Sequence, residues 1–64
     1  MLMIKDLRNF FYSDARVIIT EGDIVNPTVV FEGTIYEVPS ILNYRFLEPV
    51  RVYNNTLHIH LIRG

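Results

Sequence analysis

The residues with the greatest chemical potential in this chain are two histidines one position apart, His58 and His60, separated by Ile59. Successive side chains of an extended strand point to opposite faces, so both imidazoles would share one side, as a metal-binding pair requires. A third ligand would have to come from Glu37, Glu48 or another strand. The same spacing equally suits a strand whose polar face lies opposite Leu57, Ile59 and Leu61, and that reading needs no metal. Nucleophilic catalysis has less to build on. Ser13 and Ser40 lack the flanking glycines of a nucleophile elbow, and no glycine-rich phosphate loop occurs. The carboxylates Asp6, Asp14, Glu21, Asp23, Glu32, Glu37 and Glu48 are scattered, as expected of surface charges that keep an apolar domain soluble. The sequence therefore predicts no catalytic residue, no cofactor and no enzymatic activity.

Three tyrosines, Tyr36, Tyr44 and Tyr53, are interleaved with Arg16, Arg45 and Arg51 along the chain, a combination able to stack bases and hold phosphates. Against this, six Lys and Arg are balanced by seven Asp and Glu for a formal net charge of −1, which gives no long-range field to gather a polyanion. Tyrosine is also a common protein-interface anchor. Nucleic-acid binding is the alternative to protein contact, with metal binding at His58 and His60 the second alternative.

The elements that position these side chains follow from hydrophobic periodicity. Ile4, Leu7, Phe10 and Phe11 recur at helical spacing and predict a short amphipathic helix over 4–12. Its stripe suits a core better than a partner's groove, because so short a helix is unstable alone. Alternation predicts a strand over 15–21 with Val17 and Ile19 on one face, then an exposed loop over 22–27. A second strand is predicted over 28–38, with Gly33 marking a bulge or a close backbone approach. Pro39 opens a short turn over 39–43 that points Ile41 and Leu42 inward. Asn54-Asn55 predicts a hairpin pairing Tyr53 with Thr56, Val52 with Leu57, Arg51 with His58 and Val50 with Ile59. Asn54-Asn55-Thr56 has the form of a glycosylation acceptor, but here it reads as the turn itself.

With 64 residues and no cysteine, the chain has room for one core and cannot staple it with disulfides or a thiolate metal site. Half of its residues are hydrophobic, more than so small an interior can bury, so apolar side chains should face a partner. Neither a secretion signal nor a bilayer-length apolar run is visible, which predicts a cytoplasmic protein without membrane contact.

The order Ile4-Lys5-Asp6-Leu7, Val17-Ile18-Ile19, Gly33, Pro39-Ser40-Ile41-Leu42, Val50-Arg51-Val52 and Leu57-His58-Ile59-His60-Leu61 resembles short proteins encoded by phages and prophages of Gram-positive bacteria. That resemblance spans nearly the whole chain and implies an accessory role, exercised by binding host or phage proteins such as defence nucleases.

The expected fold is α+β, a short N-terminal helix on a small twisted antiparallel sheet of about four strands. Its expected core is Ile4, Leu7, Phe10, Val17, Ile19, Phe31, Ile35, Leu42, Val50, Val52, Leu57, Ile59 and Leu61. The expected function is a non-enzymatic module that binds a protein partner or itself, through a free sheet edge and through Phe11, Tyr12, Val30, Tyr36, Tyr44 and Ile62.

Overall fold

The computed structural model describes residues 2–9 and 14–62. Ser13, Phe10 and the proposed contact residues Phe11 and Tyr12 lie outside these residues; of the helix expected over 4–12, the described part is helical over Ile4–Leu7 and a turn at Arg8 and Asn9.

A single helical turn, α1 (Ile4–Leu7), opens the fold and buries Ile4 and Leu7. The Asp6 carboxylate accepts the Met3 N–H at 2.9 Å and so satisfies an otherwise orphaned donor at the helix start. The flanking backbone is engaged elsewhere: the amides of Ile4 and Lys5 donate to the carbonyls of Arg45 and Asn43, and Leu47 donates to Leu2.

Four strands follow, β1 (Arg16–Glu21), β2 (Thr28–Thr34), β3 (Arg51–Tyr53) and β4 (Thr56–His60), in the spatial order β2-β1-β4-β3. The sheet is mixed rather than antiparallel, because β1 and β4 run parallel at its centre from Arg16↔Thr56 to Thr20↔His60. The reason is topological. After β2 the chain crosses to the far edge, lays down β3, and the hairpin then returns β4 into the gap beside β1. Asn54 and Asn55 carry φ of 52° and 58°, the paired left-handed conformation of a tight hairpin turn. The register joins Arg51 to His58, Val52 to Leu57 and Tyr53 to Thr56, as the sequence predicts, but does not extend to Val50 and Ile59.

β2 ends at Thr34, short of the expected Val38, because Thr34 starts a 3₁₀ turn over Ile35–Glu37. Both the N–H and the hydroxyl of Thr34 donate to Glu37 Oε1, at 3.4 and 2.8 Å. The register irregularity falls at Val30, not Gly33: Ile19 faces Phe31 while Thr20 faces Val29. Gly33 instead meets the close-approach requirement, since a Cβ there would lie 3.0 Å from Phe31 Cζ. A second 3₁₀ turn, Ser40–Leu42, follows Pro39.

One sheet face carries the core. Val17, Ile19, Leu57 and Ile59 from the central pair meet Ile4, Leu7, Ile35, Val38, Leu47 and Leu61, with Phe31, Leu42 and Val50 packed at the margin. Two expected inward residues are out: Ile41 is 85% exposed and Val52 is 67% exposed. Val52 shares the core face with Leu57, but it stands on the edge strand β3, away from the segments that cover the central pair. Among the described residues no helix is long and apolar enough to cross a membrane.

Candidate functional site

The opposite face of the sheet carries the polar chemistry. By alternation it presents Ile18 and Thr20 of β1, His58 and His60 of β4, and Arg51 and Tyr53 of β3. A cleft of about 390 Å³ opens on this face. Ile18 and His58 lie along it, Ile24 and Pro27 border it from the β1–β2 loop, and Glu48 and Pro49 border it from the segment before β3. Arg51 completes its lining on the β3 side.

His60 has a defined structural task. Its Nε2 lies 3.0 Å from the Gly22 carbonyl, which can only accept, so Nε2 carries the proton and donates. Its Nδ1 lies 2.9 Å from Thr20 Oγ1, and that hydroxyl is also 3.3 Å from the Ile59 carbonyl. The ring therefore ties β4 to the start of the β1–β2 loop. Loop geometry is further fixed by Asp23, whose Oδ1 accepts the Val25 N–H at 2.9 Å. With both nitrogens of His60 bonded within the protein, the His58–His60 pair loses its appeal as a metal site. Among the described residues no three His, Asp or Glu side chains are grouped to hold a metal. Glu48 shares the cleft with both histidines, whereas Glu37 is occupied by Thr34.

The arginines expected to form a base-stacking surface are dispersed. Arg16 pairs with Glu32 at 3.6 Å and Arg45 with Glu21 at 3.4 Å. Tyr44 is taken by Lys5, whose Nζ sits 5.1 Å from the ring centroid. Arg8 donates to the Val38 carbonyl at 2.6 Å. Tyr53 alone joins a second ring on the open face, with its centroid 6.0 Å from that of His58. Among the described residues this leaves Arg51 as the one cation for which the structure supplies neither an acid, a carbonyl nor an aromatic face. The hairpin register had already placed Arg51 beside His58. What the sequence did not reveal is that the other described cations would find partners within the fold.

The proposed contact residues divide. Tyr36 is 74% exposed on the first 3₁₀ turn, Tyr44 is exposed, and Val30 is at the margin of exposure on β2. Ile62 is only half-buried, and its amide donates to the Phe46 carbonyl, so it belongs partly to the fold. Sequence reasoning missed larger apolar exposures. Val25 is 91% exposed at the tip of the β1–β2 loop, with Ile24 and Val29 exposed around it, and Ile41 stands out between Tyr36 and Tyr44. The outward loop follows from Gly22, Asn26 and Pro27, but Ile24 and Val25 within it are not among the contact residues the sequence suggests. Comparison with known proteins assigns nothing further: no protein-family model, no curated protein and no solved structure matches the chain.

Proposed function

We propose that this chain is a non-enzymatic contact module of the cytoplasm that associates with itself or with another protein through apolar side chains left outside its core. One observation carries the reading. Among the described residues eleven large hydrophobic side chains are exposed, against ten that are buried in the core. Seven of the eleven lie along two stretches of chain: Ile24, Val25, Val29 and Val30 around the β1–β2 loop, and Tyr36, Ile41 and Tyr44 around the 3₁₀ turns. Scattered single hydrophobics are ordinary on a protein surface, but such groupings on a domain of this size are characteristic of surfaces that meet another chain. Exposed tyrosines add large contact area at low entropic cost. The resemblance to short phage and prophage proteins extends this reading to an accessory role in which the contacted protein is a host or a phage protein.

Light scattering over a concentration series, with a pull-down from lysate as the second arm, tests it. The expected result is a species above 7.5 kDa, or an identified partner, in either case lost in Val25→Asp or in the double variant Tyr36→Glu, Ile41→Glu while the melting temperature is kept. A chain that stays monomeric at high concentration and captures nothing sensitive to these substitutions would overturn the proposal.

A further inference from the structure

We propose that the cleft on the open face of the sheet binds a small organic anion with an apolar body, its charge held by Arg51 and its body seated between the β1–β2 loop and Pro49. This goes beyond the contact reading, since it assigns a ligand to the polar face of the sheet; of the apolar stretches the cleft shares only the border residue Ile24.

Charge selects the ligand's sign. Among the described residues Lys5, Arg8, Arg16 and Arg45 all have partners within the fold, whereas Arg51, exposed and part of the cleft lining, has none. A guanidinium is a planar fork of donors matched to carboxylate and phosphate oxygens, and it makes such bonds in two-pronged fashion. His58 is directly opposite Arg51 in the β3–β4 ladder, so the imidazole offers a further ring nitrogen on the same face.

Shape selects the body. Ile18 lies on the β1 side, while Ile24, Pro27 and Pro49 supply carbon surface along the borders. Proline has no N–H and a fixed φ, so these borders are apolar and stiff. The His60–Gly22 and Asp23–Val25 hydrogen bonds hold the loop in place. A volume of about 390 Å³ lies at the lower end of small-molecule sites, roughly 300–1,000 Å³. Glu48 at the same border disfavours a second negative group on the ligand.

The test titrates the full chain with naphthoate, naphthyl phosphate and the uncharged naphthyl methanol, following backbone amide resonances by NMR. We expect shifts centred on Ile18, Arg51 and His58, and affinity for at least one anion about five- to tenfold above that for the alcohol. Tighter binding of naphthoate assigns a carboxylate ligand, and tighter binding of naphthyl phosphate assigns a phosphate ester. Arg51→Gln should bring the anions down to the level of the alcohol without changing the melting temperature, and Arg51→Lys should retain part of the preference. Equal affinity for all three probes, shifts mapping away from the cleft, or anion binding unchanged in Arg51→Gln would overturn the site. Because Arg51 and His58 lie outside the two apolar stretches, such a failure leaves the light-scattering result for self-association untouched.

Discussion

Trimming one methyl group from Ile59 and from Ile41 separates the core of this fold from its contact surface. Ile59 is 2% exposed and stands opposite Ile19 in the central parallel pair, whereas Ile41 is 85% exposed on the second 3₁₀ turn. Ile→Val at a filled core position removes one methylene and leaves a small void, which together cost about 0.5–1.5 kcal/mol. A chain of 64 residues has a total stability of about 3–10 kcal/mol, so the loss is readable without unfolding the protein. At about 4–8 °C per kcal/mol for a domain of this size, Ile59→Val should lower Tm by roughly 2–12 °C. Ile41→Val should change stability by less than about 0.5 kcal/mol in dilute solution, where nothing covers it. Thermal melts of both variants and the parent, followed by circular dichroism at low and high protein concentration, make the comparison. If Ile41→Val were as costly as Ile59→Val in dilute solution, the assignment of faces would be wrong. Self-association through the 3₁₀ stretch would instead make the Ile41 effect grow with concentration, because binding stabilises the folded form by mass action.

Two further outcomes check individual contacts. Gly33→Val should destabilise by about 1–3 kcal/mol through collision with the Phe31 ring, and a urea-melt double-mutant cycle should show the cost shrinking in a Phe31→Leu background. Thr20→Val deletes the hydroxyl that lies within hydrogen-bond reach of His60 Nδ1 and of the Ile59 carbonyl and donates to one of them, which should cost about 1–2 kcal/mol and speed amide hydrogen exchange over residues 22–27.

The parts of this fold that sequence reading captured are those set by neighbours along the chain. Asn54-Asn55 fixed the turn because few residues adopt positive φ, and the turn in turn fixed which residues of β3 and β4 face each other. Val17, Ile19, Leu57 and Ile59 occupy alternate positions, with Arg16, Ile18, Thr20, Thr56, His58 and His60 on the other face, and are buried as that pattern requires. Sheet order was out of reach. Whether β4 joins β1 in parallel depends on how the connection between β2 and β3 crosses the molecule, and no local spacing encodes that. Val52 shows the consequence: its alternation is sound, but its burial depends on β3 lying at an edge. The end of β2 was legible and was missed, since Thr34 followed three positions later by Glu37 is a helix-start signature. The cleft was legible only in part. Arg51 and His58 could be paired from the hairpin, but the loop carrying Ile24 and Pro27 is held beside them by the His60–Gly22 bond, a contact between distant parts of the chain.

The two edges of the sheet decide how an association would be made. Strand addition needs a regular run of outward backbone groups, and neither edge offers one cleanly. β3 is three residues long and follows Pro49, while β2 is bulged at Val30 and carries the charge of Glu32. The free edge therefore serves self-association less well than the sequence suggested, and contact falls to the side chains around Val25 and Ile41. One amide distinguishes the two routes. The Ile35 N–H donates to the Ala15 carbonyl, which fixes 15–35 as a hydrogen-bonded pair and so turns Phe31 and Gly33 toward β1. The intervening Glu32 N–H then points outward, to the free side of β2. In the associated state side-chain contact should leave exchange at Glu32 as fast as in the monomer, whereas strand addition would hydrogen-bond this amide and slow its exchange by at least about tenfold. Strong protection of Glu32 on raising the concentration would show that a second strand docks on β2 despite the bulge, and would refute the side-chain route.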